Sequence, residues 1–315
     1  MKTFKKICRK NQEDLKKWLE RLLKAKYKGV VNGDGYLYAK GNVPILLTAH
    51  MDTVHKDQCK IIMTEKREGK TILSSPQGIG GDDRCGIWII WMVLTKTKYR
   101  PSILFCEDEE IGGVGSDKFC TTDYVDDLTE LKYLIELDRA NDNDAVYYSC
   151  GNADFKGYIT QMIGYETAYG SFSDISHLSP ECDKASVNLS CGYYNAHTLK
   201  EYVVYEEMYN TFKAVKVLLS DAKECEAYDY QEERYWDKWK TRSSYNDWFE
   251  DRYGNFKVNK TTYEFIFNDE NGNEEYDFVE ADTIEEALGL FFFDNPNICY
   301  NNIIDYYTVS DYEAV

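Results

Sequence analysis

A histidine and an aspartate stand two residues apart at the end of a predicted strand. The apolar run 43–47 is followed directly by Thr-Ala-His50-Met-Asp52. Because side chains alternate along a strand with a period of two, His50 and Asp52 point to the same side. An imidazole that binds a metal usually donates its second N–H to a carboxylate or another acceptor. The pair is therefore a candidate metal ligand with its orienting carboxylate; the alternative is a polar strand end that meets solvent.

Two further groups of carboxylates follow glycines or strands. Asp82 and Asp83 come after the glycine-rich run 78–81 and open a predicted helix, where an ordinary N-cap would also place an aspartate. Glu109 and Glu110 end a run of four carboxylates after the apolar strand 102–106. Adjacent carboxylates repel one another unless cations neutralise them. These residues are candidates for a cation site, and a solvated acidic loop is the alternative for the second group.

Asp138 and His197 each come after a further predicted strand. In an open α/β sheet such strand ends share the edge where ligands bind. Two imidazoles, three carboxylates and one additional glutamate suit two first-row cations bridged by an aspartate, with a water between them and a base beside them. The sequence therefore predicts a site for two metal ions.

The motifs that carry these residues resemble those of the co-catalytic dizinc peptidases, the clan of the M20 tripeptidase-like, M28 and M42 aminopeptidases. The similarity covers about residues 25 to 222. Its motifs, in chain order, are His50-Met-Asp-Thr-Val, Gly81-Asp82-Asp83, Asp108-Glu109-Glu110-Ile-Gly, Leu137-Asp138 and Asn195-Ala-His197-Thr.

The resemblance implies a role for each residue. His50 and Asp138 would hold one metal, Glu110 and His197 the other, and Asp82 would bridge them. The two catalytic residues would be Glu109, as the general base, and Asp52, which would orient His50. The resemblance also implies a cis peptide bond after Asp82. The expected cofactors are two zinc ions, with manganese or cobalt as alternatives.

The activity that follows is hydrolysis of amide bonds in short peptides, most simply by an aminopeptidase. Two alternatives stay open: a deacylase of N-acyl amino acids, and a non-catalytic binding protein on the same fold. The intervals 50–82 and 138–197 are too short for the insert or lid domain that relatives carry there. His177, in the polar loop 170–177, is a candidate for steadying an oxyanion, with a surface role as the alternative. His55 is expected to be an exposed loop histidine.

The pattern of elements predicts an α/β three-layer sandwich, with a mixed, mostly parallel sheet flanked by helices and a small C-terminal α+β module. Residues 4–24 are predicted as one helix, residues 155–160 as a strand paired with 146–149, and residues 202–220 as a long helix. The predicted organisation is a catalytic domain over 1–223, an aromatic-rich connecting helical segment over 224–256, and a ββαβ module over 257–315. That module would contain a hairpin of 263–267 with 275–279, a capping box from Thr283 to Glu286, and a last strand at 302–308.

Composition limits the partners. A formal net charge of −18 over 315 residues repels phosphate backbones, so nucleic acid is not expected. No apolar run is long enough for a membrane span, and the basic N-terminus has no apolar signal region behind it, so a cytoplasmic protein is expected. The ten cysteines are scattered singly and are expected as buried thiols. The expected partner is a short peptide substrate, and association with copies of itself or with another protein through the C-terminal region stays open.

Overall fold

The structure is a computed structural model that describes residues 1–232, 261–268, 274–281 and 303–308, together with residues 287, 291 and 295. The chain divides into two compact units. One comprises Met1–Ala168 and Phe172–Glu233, and the other comprises Tyr169–Ser171 and Arg234–Val315. Each is described by itself.

An eight-stranded mixed sheet forms the centre of the first unit. Its order is β1-β2-β6-β3-β7-β10-β8-β9, and the four adjacent strands β6, β3, β7 and β10 run parallel. The strands are β1 (Val31–Gly33), β2 (Tyr36–Ala39), β3 (Val43–His50), β6 (Pro101–Cys106), β7 (Tyr133–Arg139), β8 (Asp144–Val146), β9 (Glu166–Ala168) and β10 (Ser186–Ser190).

A smaller sheet in the same unit has the order β11-β12-β5-β4. Its strands are β4 (Met63–Arg67), β5 (Lys70–Ser74), β11 (Tyr193–Tyr194) and β12 (Tyr202–Val204). β4 and β5 form a hairpin that turns at Glu68 and Gly69.

Eight α-helices belong to the described part of the first unit: α1 (Lys2–Cys8), α2 (Gln12–Lys24), α3 (Gly81–Lys96), α4 (Val114–Cys120), α5 (Asp126–Thr129), α6 (Ala153–Ile163), α7 (Ile175–Cys182) and α8 (Tyr205–Asp221). Neighbouring strand residues alternate between the two faces of the sheet. Leu47 packs in the core formed with α1, α2, α3, α6 and α8, whereas Leu46 packs in a second core formed with α4, α5 and α7. This arrangement confirms the predicted three-layer α/β sandwich.

Four predicted elements are wrong in type or extent. The predicted strand 146–149 is β8, which ends at Val146, and residues 202–204 of the predicted long helix form β12, so that α8 begins at Tyr205. Residues 155–160 lie in α6 rather than in a strand, and Asn152 caps that helix by accepting a hydrogen bond from the Phe155 N–H at 3.0 Å. Residues 4–24 form two helices, because Asn11 begins α2 by capping the Asp14 N–H at 2.8 Å. Both asparagines satisfy an N–H that has no partner inside the helix.

The second unit contains a three-stranded antiparallel sheet in the order β14-β13-β15. The strands are β13 (Thr261–Asn268), β14 (Glu274–Ala281) and β15 (Ile303–Thr308), so the predicted hairpin and last strand are present. The helical residues Ala287 and Phe291 pack against Phe265, Phe267 and Val279. The predicted capping box lies outside the described residues.

The predicted connecting segment 224–256 is described only up to residue 232. Residues 226–231 there have no regular secondary structure. Tyr228 packs its ring against Tyr133, Phe155 and Tyr158. The described helices are all too short or too polar to cross a lipid bilayer.

Candidate active site

His50 ends β3 and is completely buried. Its Nδ1 lies 3.1 Å from Asp52 Oδ1, so the carboxylate fixes the plane of the ring. Its Nε2 faces two other carboxylates, at 2.9 Å from Asp82 Oδ1 and 3.4 Å from Asp138 Oδ1. Burial by itself would lower the pKa of His50, but Asp138 and the hydrogen bonds to its acidic neighbours raise it well above its ordinary value.

Asp52 connects His50 to the acidic loop after β6. Its Oδ1 also accepts a hydrogen bond from the Glu109 N–H at 3.1 Å, and its Oδ2 accepts one from the Glu110 N–H at 3.0 Å. Burial opposes ionisation of Asp52, but these N–H groups and His50 favour the charged form and lower its pKa. One carboxylate therefore fixes both an imidazole and the backbone of two glutamates.

Asp82 lies between two imidazoles. Its Oδ1 contacts His50, and its Oδ2 lies 3.2 Å from His197 Nε2. The same His197 nitrogen is 3.0 Å from Glu110 Oε2. The hydrogen bonds that His197 donates to Asp82 and, to a smaller extent, to Glu110 raise its pKa to about 11. The peptide bond from Asp82 to Asp83 is cis, as the motif resemblance implies.

Asp138 completes the side of the site that contains His50. Its backbone N–H donates to Asn188 Oδ1 at 2.8 Å, and the Tyr193 hydroxyl donates to its Oδ1 at 3.3 Å. Burial, followed by the nearby charge of Asp82, raises the pKa of Asp138 well above its ordinary value. The positive charge of His50 is therefore too small to balance the buried carboxyl groups around it.

The donor set fits divalent cations. His50, Glu109 and Asp138 offer ligand atoms within 4.8 Å of one another, and so do His50, Asp82 and Glu110. Glu110 Oε1 is buried and has no hydrogen-bond partner among the described residues. Burial raises the pKa of Glu109 to about 10, with further contributions from nearby acids. A bound cation would satisfy the unpaired oxygen and favour the ionised carboxylates.

The predicted sheet edge supplies only part of the site. His50, the Glu109–Glu110 pair and Asp138 do stand at the ends of three adjacent parallel strands, β3, β6 and β7. Asp82 and His197 instead come from connections of the smaller sheet: the segment after β5 and the loop between β11 and β12. The expectation that all five strand ends belong to one sheet is therefore wrong, although the side chains still converge.

The sequence indicated no separate role for Asp83, gave no prediction for the buried Glu201, and predicted the wrong environment for His55. The Asp83 carboxylate accepts hydrogen bonds from the His50 N–H at 3.2 Å and the Gly86 N–H at 2.8 Å. The expectation that His55 is an exposed loop histidine is wrong, because its side chain is 7% exposed and its Nε2 lies 2.8 Å from Glu201 Oε2. Glu201 is fully buried. Its sequence neighbourhood is that of an ordinary polar loop, and its place four residues after the candidate ligand His197 was the one indication of a role.

His177 lies in the first turn of α7, where its Nδ1 is 3.2 Å from Ser116 Oγ. The Phe172 ring packs edge-on against its imidazole. A role in steadying an oxyanion stays a prediction.

The sequence matches no protein-family model and no curated protein. Solved structures with a similar fold exist. Aminopeptidase PepT from Bacillus cereus has 15% identity and a TM-score of 0.56, over 70% of this chain and 97% of that chain. A tripeptidase from Staphylococcus aureus has 13% identity and a TM-score of 0.56, over 71% and 98%. PhTET1-12s, a dodecamer, has 15% identity and a TM-score of 0.50, over 69% and 98%.

The chain therefore has the α/β fold of these three structures. At the level of the fold, this confirms the resemblance to the dizinc peptidases that the sequence motifs predict.

Proposed function

We propose that this chain is a divalent-metal-dependent hydrolase that cleaves amide bonds of short peptides, acting as an aminopeptidase. The observation that carries the proposal is the position of Asp82. Each of its two carboxylate oxygens faces a different histidine, His50 at 2.9 Å and His197 at 3.2 Å. A carboxylate shared between two imidazoles is the arrangement expected of a bridging ligand.

The proposed ligands divide into two sets around that bridge. His50 and Asp138 would hold one ion, and Glu110 and His197 would hold the other. Imidazole and carboxylate donors suit zinc, and manganese and cobalt accept the same donors. When bound, two such ions supply Lewis acidity and lower the pKa of a coordinated water to about 7.

Glu109 is the proposed general base. Its backbone N–H is fixed by Asp52 Oδ1 at 3.1 Å, and its carboxyl lies in a group with His50 and Asp138. The carboxylate would take a proton from the attacking water and pass it to the departing amine. Burial raises its pKa in the metal-free site, and neighbouring positive charge would return it to the ionised form that a base requires.

Asp52 is proposed to orient His50 and the acidic loop together. Its single carboxylate sets the ring of His50 and the backbone of Glu109 and Glu110. Loss of Asp52 would therefore disturb a ligand of each proposed ion and the base at once.

We further propose that residues 1–223 act as the catalytic domain and that residues 257–315 act as a separate module, with 224–256 connecting them. Self-association is part of the proposal, because the similar PhTET1-12s structure is a dodecamer. The nine cysteines of the described residues are free thiols, which suits a reducing compartment such as the cytoplasm.

The test uses fluorogenic aminoacyl substrates and N-acetyl-amino-acid substrates, each assayed with zinc and with a chelator. An aminopeptidase releases product from the free-amine substrates only, and chelation abolishes the activity. Preference for the acetylated substrates would establish a deacylase in its place. Absence of turnover on both, with metal bound, would support a binding protein and refute the proposed hydrolase.

A further inference from the structure

Glu201 is a buried carboxylate that contacts the loop before Asp82 rather than any proposed ion. Its Oε1 accepts a hydrogen bond from the Asp82 N–H at 3.0 Å, and its Oε2 accepts one from the Gly80 N–H at 2.8 Å. The Nε2 of His55 also lies 2.8 Å from Oε2. Three donors from two separate segments therefore converge on one side chain that is 0% exposed.

The glycines of this loop are explained by the same contacts. A Cβ at Gly78 would lie 2.2 Å from His55 Nδ1, and a Cβ at Gly81 would lie 3.1 Å from Glu201 Oε1. Gly78 and Gly80 also have positive φ values of 81° and 63°, which side-chain-bearing residues rarely adopt. The loop thus passes close to the His55–Glu201 pair, and residues larger than glycine would push the loop away from the pair.

Glu201 also links the loop that carries His197 to the backbone of Asp82. It stands four residues after His197, in the connection from β11 to β12. His197 contacts Asp82 from one side, while Glu201 holds the backbone N–H of Asp82 from the other. The loop that carries one histidine ligand therefore also fixes the bridging aspartate.

We propose that the His55–Glu201 pair is a positioning device for the metal centre: Glu201 fixes the backbone of Gly80 and Asp82 so that both oxygens of Asp82 face the two histidines. This inference rests on the proposed function, since it assumes that Asp82 bridges two ions. Neither residue touches the reacting atoms, so their effect is on metal affinity and on the geometry of Asp82.

The substitution Glu201→Gln separates this role from simple packing. Glutamine has nearly the same shape but only one acceptor oxygen, and its amide group donates hydrogen bonds. In either orientation, its NH2 group would face a backbone N–H, that of Gly80 or that of Asp82. A buried N–H would lose its acceptor in both cases.

The two members of the pair should differ in importance. His55 lines a cavity of about 190 Å³ together with Gly78 and Gly80. That space is large enough for a water to replace the imidazole N–H in His55→Ala. In Glu201→Gln the amide fills the space of the carboxylate and leaves no room for a water beside the Gly80 and Asp82 N–H groups, so Glu201→Gln should have the larger effect.

The experiment measures zinc affinity by competition with a chromophoric chelator, for the full chain and three variants. The matched control is Glu206→Gln, because Glu206 likewise accepts a backbone hydrogen bond, from the Thr71 N–H at 2.6 Å, but does not contact the Asp82 loop. Loss of an outer partner of a metal ligand typically weakens metal affinity by about 10- to 100-fold. We expect a loss in that range for Glu201→Gln, a smaller loss for His55→Ala and none for Glu206→Gln.

Thermal unfolding of the same variants identifies any that fail to fold. Amide hydrogen exchange supplies the second readout: in the metal-free protein, the Gly80 and Asp82 N–H groups should exchange faster in Glu201→Gln than in Glu206→Gln. Zinc affinity of Glu201→Gln within threefold of the wild type would overturn the positioning role, even if that variant were less stable. A wild-type chain that bound no zinc would instead refute the proposed metal centre itself, and this role with it.

Discussion

Replacement of Asp52 by asparagine should weaken the metal centre without removing any proposed ligand. Asp52 accepts three hydrogen bonds: from His50 Nδ1 at 3.1 Å, from the Glu109 N–H at 3.1 Å and from the Glu110 N–H at 3.0 Å. Asparagine keeps one oxygen and places an NH2 group where the other was. If the amide oxygen takes the place of Oδ1, the variant loses only the contact with the Glu110 N–H. If the oxygen takes the place of Oδ2, the variant loses the contacts with His50 and with the Glu109 N–H.

The expected magnitude follows from those counts. A hydrogen bond to a charged group contributes about 1.5–3 kcal/mol. Part of the loss will appear in folding stability, since the loop of Glu109 and Glu110 is held by these contacts in the metal-free protein. Outer carboxylates of metal-binding histidines typically change metal affinity by about 10- to 100-fold, which corresponds to about 1.4–2.8 kcal/mol.

The assay is zinc binding by chelator competition, accompanied by kcat at saturating zinc. Asp57→Asn is the matched control, because Asp57 is an exposed aspartate on the same connection between β3 and β4. We expect a zinc dissociation constant about 10- to 100-fold higher for Asp52→Asn and unchanged for Asp57→Asn. Equal zinc affinities for Asp52→Asn and the wild type would refute the reasoning that Asp52 orients His50 and the acidic loop.

Glu109→Gln should lower kcat by at least about 10²-fold, since general base catalysis typically contributes 10²- to 10⁴-fold. The amount of bound zinc, measured by mass spectrometry, should stay at the wild-type level. Near-normal turnover would contradict the assignment of Glu109 as the base. In chelator, the melting temperature should fall as pH rises from about 6.5 toward 10, because pKa values raised to about 10 for Glu109 and about 11 for His197 make the folded state keep protons that the unfolded chain has released. Zinc should remove most of that slope, and a metal-free melting temperature that rises over this range would contradict the raised pKa values of Glu109 and His197. Asn11→Ala should cost about 1 kcal/mol in urea unfolding through loss of the α2 cap, and an unchanged midpoint would argue for one continuous first helix. Phe155→Ala should cost about 3–5 kcal/mol, because the ring is 0% exposed in the core beneath α6; a loss below 1 kcal/mol would contradict that packing.

The proposed ligands could be found from sequence because their signal is local. His50, Glu109 and Asp138 stand where apolar strands end, and parallel strands bring those ends together. The motifs indicate Asp82 and His197 as candidates, but the prediction that one sheet edge brings all the candidate residues together is wrong. These two residues reach the site through the smaller sheet, and pairing between β5 and β12 joins segments about 130 residues apart, which no local pattern specifies.

The contact between His55 and Glu201 could not be predicted for the same reason, because it joins residues that are far apart in the sequence. The His55–Glu201 contact spans 146 residues, and each residue by itself looks like an ordinary polar loop position. The error at α6 was avoidable, because Phe155, Ile159 and Met162 recur at a helical spacing and Asn152 stands at the capping position. A short run of aromatic and β-branched residues favoured a strand there, and the helical period was the better guide.

The most direct test is the number and position of ions bound to the zinc-loaded protein, measured by anomalous scattering from its crystals. The proposed centre predicts two ions per chain, each about 2.0–2.2 Å from a different carboxylate oxygen of Asp82, with His50 on one ion and His197 on the other. A single ion, or a pair of ions that Asp82 does not bridge, would contradict it.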